Sequence, residues 1–438
     1  MGLSATFYLF DMIFNEILGK VYQKECPKFE QAWGMKSYTY KIPKKSFCSD
    51  YCGFIGSSDP YWFDCDKGIM PTIEFFFSRS KSCNVLSSKG FDNEDNQDCI
   101  NKVSSLLNKH DNQKSKIVYI THGYTSDGSI QWIKTMKDSL LSRYGIDKTV
   151  VAIVDWKRGA SRSLISTINK VSGIDLRDKS QQCCMGSIVS NYGKAAVNTW
   201  PIGNILAYVN EKVMKKVNSK NVKVACVGHS LGSHLCGFFG KMSERIDQTL
   251  TLTKIVGLDP AGPIWDYNDT QLKQDPSLRL NKEDALNVEV FHTNAEILGY
   301  RYPIGDIDFY INGGYRQPQC ASNDTFGVCS HGLSIKLFNA INKNSKKRTK
   351  SGQCDAKWKC NSSIFQSAYP EIEDLQDLED CCNIGREVTL GDLDNNNKGT
   401  YWIEAREDSD TCYFDSKSGI FLLTGKSCYY YFFFKPLK

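Results

Sequence analysis

The sequence contains no run of about 20 apolar residues, which is the length that a helix needs to cross a bilayer. It also lacks a stripe of clustered basic residues, since the formal net charge is only +5 and the one dense basic run, Lys346 to Lys350, is typical of a solvated loop. No Cys-x-x-Cys pair occurs, so the usual spacing of zinc ligands is missing. These absences argue against a membrane-spanning protein, a nucleic-acid-binding protein and a zinc domain.

Cysteine, in contrast, is abundant, with 18 residues that include the adjacent pairs Cys183–Cys184 and Cys381–Cys382. A chain kept in a reducing compartment rarely carries so many, so we expect disulfide bonds and a secreted protein. Glycosylation sequons at Asn268, Asn323 and Asn361 are compatible with secretion. The N-terminal residues 1–25, which we interpret as a leader or a disordered segment, make a poor signal peptide because they lack a basic start and a clear cleavage site.

Short apolar, β-branched runs alternate with helical patterns through the middle of the chain, which predicts a mostly parallel sheet with helices on both faces. The predicted strands end at Gly123, Trp156, Ser230, Pro260 and Asn294. The predicted helices cover about 129–144, 192–217 and 231–243. Residues 160–190 and 343–400 are polar and weakly periodic, so we predict loops held by disulfides there.

The segment GHSLG, residues 228–232, has the form Gly-x-Ser-x-Gly between a predicted strand and a predicted helix. In that context a serine at a tight turn projects from the edge of the sheet, with its oxygen at the N-terminus of a helix. The alternative is a glycine-rich turn with an ordinary serine cap. The strand on one side and the helix on the other favour Ser230 as a nucleophile.

A nucleophilic serine needs a histidine base and an acid that orients it. The chain has only six histidines, and the usual chain order places the base after the serine. His234 lies four residues along the predicted helix and is not well placed for the serine's exposed side, which leaves His292 and His331. His292 lies within a predicted strand and is better explained as a structural histidine, whereas His331 follows a loop. Asp259 ends the strand after the nucleophile helix and is the preferred acid. Its competitors are Asp155, Asp306 and Asp308.

An oxyanion hole would complete this site. His122 and Gly123 end an early strand, so the backbone N–H of Tyr124 is one candidate donor. The second candidate is the N–H of Leu231, which directly follows the serine. Together these residues predict acyl transfer through a serine.

The ordered series HGY, VDWKRGA, NYGKAAVNTWPIG, GHSLGSHLCG, GLDPAGP, VFHTN, IDFYINGG and CSHGLS resembles the pancreatic-lipase family of secreted α/β-hydrolases over about residues 115–337. The resemblance implies the α/β-hydrolase fold and a catalytic triad of Ser230, Asp259 and His331. It also implies an oxyanion hole at Tyr124 and Leu231.

The resemblance further places a lid between Cys320 and Cys329, which enclose only eight residues here. Triacylglycerol lipases of the family carry a long lid at this point, and the stretch 293–307 is short as well. Members with both loops trimmed are mostly phospholipases A1, because a short cover leaves the groove open to a bulky head group. The segment 158–192 is longer than usual and is an alternative cover for the groove.

The family's calcium-binding segment is similar to DPSLRLNKEDAL, residues 275–286. Asp284 and the backbone of Arg279 are plausible ligands, but Pro276 and Asn281 stand where acids are expected. We therefore expect no bound metal and no cofactor.

We predict one α/β-hydrolase domain over residues 26–415 and a C-terminal tail or last strand over 416–438, without the β-sandwich that the lipases add. The tail is aromatic, and contact with a membrane is an alternative to a sheet edge. The resemblance then implies a monomer that needs no colipase and works at a phospholipid membrane or micelle surface.

The leading hypothesis for function is therefore a phospholipase A1 that cleaves the sn-1 acyl ester of phospholipids. A triacylglycerol or galactolipid lipase is the alternative within the same class. A catalytically silent lipid-binding or storage homologue belongs to a different class, and it is disfavoured because all three triad candidates are present.

Overall fold

The structure is a computed structural model of the 438-residue chain. It describes residues 70–89, 93–109, 115–160, 179–217, 222–263, 265, 276–295, 297–318, 320, 324, 327–343, 391–394 and 398–403, and six short strand segments at 21–24, 40–43, 356–357, 387–388, 405–406 and 422–423. The three sequons, His110 and most of the predicted tail lie outside these residues. The division into a leader, a catalytic domain and a tail stays a prediction.

A nine-stranded sheet forms the centre of the fold. In chain order its strands are β1 (Thr72–Phe76), β2 (Ser82–Leu86), β3 (Lys116–Thr121), β4 (Thr149–Asp155), β5 (Lys223–His229), β6 (Lys254–Leu258), β7 (Val288–His292), β8 (Ile307–Ile311) and β9 (Gly399–Ile403). The six short segments pair as separate two-stranded ribbons.

The strands lie in the order β9-β8-β7-β6-β5-β3-β4-β1-β2. All pairs from β9 to β4 are parallel, and β1 joins β4 and β2 in the antiparallel sense. Because β3 to β8 run in one direction, their carboxyl ends meet at the same edge of the sheet. This is the α/β-hydrolase arrangement that the sequence resemblance implies, and that edge is where such sheets place their sites.

Six helices cover the sheet in the described part of the chain. They are α1 (Glu94–Asn108), α2 (Gln131–Tyr144), α3 (Lys157–Ala160), α4 (Lys179–Met214), α5 (Leu231–Ile246) and α6 (Val328–Lys343). None of these helices is both long and apolar enough to cross a membrane, as far as the described residues go.

The core has two layers because successive strand residues point to opposite faces. In β3, Ile117 and Tyr119 pack with residues of α1, α4 and α5, whereas Val118 and Ile120 pack with residues of α2 and α6. Every residue of β3 is buried, as expected for a central parallel strand. The predicted sheet with helices on both faces is confirmed.

Two loop predictions are wrong. Helix α4 begins at Lys179, inside the predicted loop 160–190, and the Ser, Gly and Asn residues of its first half are weak helix formers that concealed it. The fold therefore overrides local propensity over this stretch. The predicted loop 343–400 also contains part of β9, which lies at the sheet edge beside β8.

Three disulfides join described cysteines, at Cys83–Cys99, Cys226–Cys236 and Cys320–Cys329. The second one is fully buried and links the middle of β5 to the second turn of α5. It thus closes a loop around the sharp turn between these two elements. The bond stabilises the folded state because it reduces the conformational entropy of the unfolded chain.

We expect the double substitution Cys226→Ala and Cys236→Ala to lower the free energy of unfolding by about 3 kcal/mol, the entropic effect of opening a loop of this size. Urea unfolding of the two proteins without reductant measures the difference. A control is Ser243→Ala, since the buried hydroxyl of this α5 residue has no hydrogen-bond partner among the described residues. A double variant as stable as the native chain would contradict the disulfide's role.

Candidate active site

Ser230 occupies a strained turn between β5 and α5. Its φ of 57° lies in the left-handed region that side-chain-bearing residues rarely adopt. A Cβ on Gly228 would lie 2.2 Å from the carbonyl oxygen of Gly232, and one on Gly232 would lie 2.6 Å from the carbonyl oxygen of His122. Only glycine fits at either position, which explains the spacing of the Gly-x-Ser-x-Gly segment.

The turn aims the serine hydroxyl out of the sheet edge. The N–H of Ser230 donates to Leu258 at the end of β6, and its carbonyl accepts from Ser233 in the first turn of α5. The hydroxyl itself does not cap the helix. Leu231 is the first helical residue, and the N–H groups of a first turn have no acceptor within the helix. The hydroxyl therefore lies beside the positive end of α5.

His331 and Asp259 form a hydrogen-bonded pair, with 2.5 Å between Nδ1 of the imidazole and Oδ2 of the carboxylate. Asp259 follows β6 directly and is fully buried, whereas His331 lies in the first turn of α6 with 8% exposure. A buried carboxylate at this distance requires the proton on Nδ1, which leaves Nε2 as the basic nitrogen. The structure brings together the two residues that the sequence singled out as base and acid.

The second oxygen of Asp259 is held by main-chain donors. The N–H groups of Thr293 and Asn294 donate to Oδ1 at 2.7 and 3.0 Å. Gly299 lies so close that a Cβ there would approach the same oxygen to 2.5 Å. Together with the imidazole of His331, these two N–H groups replace the water that the carboxylate loses on burial. The three hydrogen bonds fix the orientation of the carboxylate.

The end of β3 reaches the serine. A Cβ on Gly123 would lie 2.7 Å from the Cβ of Ser230 and 3.3 Å from its hydroxyl oxygen. The next residue is Tyr124, so the predicted oxyanion donors Tyr124 N–H and Leu231 N–H belong to segments that flank Ser230.

The imidazole of His122 holds the segment after β3 in place, a role that the sequence did not reveal. The N–H of Trp156 donates to Nε2 of His122 at 3.2 Å, so the proton sits on Nδ1, which lies 3.0 Å from the carbonyl oxygen of Gly123. The carboxylate of Asp155 is farther from Nε2, at 3.5 Å. Because that carbonyl and the N–H of Tyr124 share one peptide plane, the buried imidazole fixes the direction of the N–H.

A second histidine packs against the base. The rings of His229 and His331 lie 4.4 Å apart, and Nε2 of His229 is 3.3 Å from the carbonyl oxygen of His331. Burial, together with the neighbouring His331, lowers the pKa of His229 well below its usual range. His229 is therefore neutral and donates its Nε2 proton to that carbonyl, so it adds no charge beside the base.

The other described histidines have structural partners. His292 is fully buried between the carbonyl oxygen of Tyr300 and the carboxylate of Asp308, at 2.9 and 2.8 Å. This confirms the interpretation of His292 as a structural histidine and removes Asp308 from the candidate acids. His234 accepts from the N–H of Leu280, and burial lowers its pKa to about 3.

The loop before His331 is closed by a disulfide between Cys320 and Cys329, the two cysteines between which the resemblance placed the lid. Asp324, inside this loop, accepts the N–H groups of Cys329 and Ser330 at the start of α6. Oxidised sulfurs are not thiolate ligands, so the proximity of Cys320, Asp324 and Cys329 does not make a metal site. The carboxylate instead caps the helix that carries His331.

The residues of the calcium-like segment do not fit a divalent cation. The ammonium group of Lys241, from α5, donates to the carbonyl oxygen of Arg279 at 2.8 Å and to the carboxylate of Asp284. These are the two groups that the sequence offered as ligands. Burial lowers the pKa of Lys241, and the Asp284 carboxylate opposes that shift. A lysine thus supplies the positive charge at this place.

A model of the Lipase family matches residues 182–408, which is more than half of the chain. The matched region includes Ser230, Asp259, His331 and the Cys320–Cys329 loop.

Individual relatives align over a similar length. Phospholipase A1 of Vespa crabro is 33% identical over 221 residues, covering 50% of this chain and 64% of that protein. Phospholipase A1 VesT1.02 of Vespa tropica is 30% identical over 53% of this chain and 69% of its own length. Lipase member H of Mus musculus is 30% identical over 57% of this chain and 47% of that protein. The alignment therefore spans less than two thirds of the length of the Vespa crabro relative.

The contact of Lys241 with the calcium-like segment can be tested by thermal unfolding. We expect EDTA or CaCl₂ to leave the melting temperature unchanged, because the ammonium of Lys241 already neutralises Asp284. Lys241→Met should lower the free energy of unfolding by about 3 kcal/mol, since it leaves a buried carboxylate unpaired.

Lys102→Met is the matched control. Lys102 pairs with Asp98 on the exposed face of α1, so its loss should cost under about 0.5 kcal/mol. A rise in the melting temperature of the native protein with calcium, over the effect of magnesium, would contradict the assignment.

Proposed function

The chain belongs to the Lipase family, and we propose that it hydrolyses the sn-1 acyl ester of phospholipids through an acyl-enzyme. The observation that carries the proposal is the hydrogen bond between His331 and Asp259 beside the strained serine turn. A serine, a histidine with its proton fixed on Nδ1 and a buried carboxylate are the parts that nucleophilic catalysis by serine needs.

The chemistry follows from these positions. Ser230 attacks the ester carbonyl while Nε2 of His331 takes the hydroxyl proton, and Asp259 stabilises the imidazolium that forms. The proton then passes to the departing lysophospholipid oxygen, and the acyl group stays on the serine. Water, deprotonated by the same nitrogen, attacks the acyl-enzyme, which releases the fatty acid and restores the serine.

The oxyanion of each tetrahedral intermediate would lie between the N–H groups of Tyr124 and Leu231. His122 fixes the first donor through the Gly123 carbonyl, and α5 orients the second. Each donor of this kind is typically worth about 3–4 kcal/mol of transition-state stabilisation. Because both are main-chain groups in rigid segments, they cost no reorganisation during the reaction.

The proposed substrate rests on the cover of the site. The loop that the disulfide closes contains only eight residues, so it is too short to cover a long acyl groove. Asp324 also ties this loop to the start of α6 by accepting the N–H of Cys329. Val328, the first residue of α6 and the neighbour of Cys329, leaves 66% of its surface exposed, which suits contact with a lipid surface. The similarity to phospholipases A1 of Vespa species points to the same substrate.

We further propose that the protein works outside the cell. Disulfides persist in oxidising compartments. Of the three described here, Cys226–Cys236 braces the serine turn, Cys320–Cys329 closes the loop before His331, and Cys83–Cys99 joins β2 to α1.

Ser230→Ala should reduce the release of fatty acid from phosphatidylcholine vesicles by at least about 10⁴-fold, because the nearby hydroxyls of Ser233 and Thr121 are engaged with the carbonyl oxygens of the turn. The change is measured by titration of free fatty acid. A fluorophosphonate probe should label the native protein and fail to label the variant.

Ser80→Ala, in an exposed turn between β1 and β2, is the matched control and should retain full activity. Activity retained in Ser230→Ala would rule out the nucleophile. A folded native protein that the probe does not label would favour a silent lipid-binding homologue instead.

Substrate choice gives a separate test. Phosphatidylcholine with different acyl chains at its two positions should lose the sn-1 chain first, and initial rates should exceed those on triolein by roughly tenfold or more. Mass spectrometry of the lysophospholipid identifies the remaining chain. A preference for triolein would show that the short loop does not determine the substrate, and release of the sn-2 chain would contradict the proposed position.

A further inference from the structure

Gln317 is a buried amide behind the candidate site. It lies in the turn after β8 and is 2% exposed, and none of its described hydrogen bonds goes to Ser230 or to the imidazole of His331. Its side chain lies at the junction of three segments: the residues after β7, the turn after β8 and the start of α6. A buried polar side chain at such a junction must find partners there.

The side-chain amide is fully hydrogen-bonded. Its Nε2 donates to the carbonyl oxygens of Thr293 and Ile311, both at 2.8 Å, and lies 3.2 Å from that of Tyr315. Its Oε1 accepts from the side chain of Asn312 at 2.9 Å. Carbonyl oxygens can only accept, so the nitrogen must face them and the orientation of the amide is unambiguous.

One of these bonds reaches the acid of the pair. The carbonyl of Thr293 and the N–H of Asn294 belong to the same planar peptide unit. Gln317 holds the carbonyl end of this unit, and the N–H end donates to Oδ1 of Asp259 at 3.0 Å. Loss of the amide would free this peptide plane to rotate away from the carboxylate.

The main chain of Gln317 reaches the base. Its N–H donates to the hydroxyl of Ser330 at 3.0 Å, and that hydroxyl donates to Asp324 at 2.9 Å. Ser330 directly precedes His331 in the first turn of α6. Gln317 thus holds both the peptide unit that donates to Asp259 and Ser330, the neighbour of His331, which lie on separate segments.

We propose that Gln317 is a positioning residue that sets the Asp259–His331 hydrogen bond. It acts through Asp259 and does not touch the substrate, and the consequence for turnover rests on the function proposed above. Pre-organised groups must be held to within about 0.5 Å, so a loosened carboxylate should slow the chemical step and leave binding of the ester unchanged.

Gln317→Met, which keeps the volume and removes the donors, should lower kcat on p-nitrophenyl butyrate by roughly 10–100-fold with KM within about twofold. Introduced into Asp259→Asn, the same change should cost less than about twofold, because the group through which it acts is already lost. Gln248→Met, an exposed glutamine after α5, is the matched control and should leave kcat unchanged.

A second measurement does not depend on turnover. The Nδ1 proton of His331 should appear as a downfield ¹H NMR resonance that disappears in Asp259→Asn. In Gln317→Met it should broaden or move upfield. Ser330→Ala, a smaller change that removes the hydroxyl to which the Gln317 N–H donates, should shift it in the same direction.

The outcomes separate the two proposals. Native protein that neither cleaves the ester nor reacts with a fluorophosphonate defeats the proposed function, while the resonance still decides the role of Gln317. An unchanged resonance in both Gln317→Met and Ser330→Ala overturns this inference. An equal loss of kcat with and without Asp259 also overturns it, because it would show a general structural effect. If Gln317→Met does not fold, Ser330→Ala decides alone.

Discussion

The hydrogen bond between His331 and Asp259 joins residues 72 positions apart, and much of the fold serves to form it. A fully buried carboxylate loses its hydration and is tolerated only when donors replace the water. Here the imidazole supplies one donor, and the N–H groups of Thr293 and Asn294 supply two more. The bond therefore requires the end of β6, the segment after β7 and the first turn of α6 to meet at one point.

Bringing these segments together at the sheet edge is accompanied by backbone strain at Ser230 and Asp259. Ser230 and Asp259 both have positive φ, at 57° and 47°, and such backbone typically costs about 1–3 kcal/mol per residue. The residues before them, His229 and Leu258, are paired in the parallel register of β5 and β6. The adjacent strands thus deliver two strained residues side by side. The buried Cys226–Cys236 disulfide and the tight Gly228–Gly232 contact keep the serine turn from relaxing.

The sequence predicted the parts of this arrangement that depend on local pattern. Continuous β-branched runs revealed the central strands, and the position of Asp259 at a strand end, with the scarcity of histidines, identified the pair that the structure joins. It did not predict the start of α4 at Lys179, because weak helix formers there are stabilised by the fold. The partners of Lys241 and Gln317 were equally hidden, since each contact joins segments that only the folded chain brings together.

The supports of the site share one physical character, which is that each is a side chain of this chain holding a main-chain group. His122 holds the carbonyl of Gly123, Gln317 holds that of Thr293, Lys241 holds that of Arg279, and Asp324 holds the first N–H groups of α6. Main-chain groups held in this way move only with their segments. The geometry of the Asp259–His331 pair is therefore set when the chain folds, and at Asp284 a lysine of the chain itself supplies the positive charge that a divalent cation would bring.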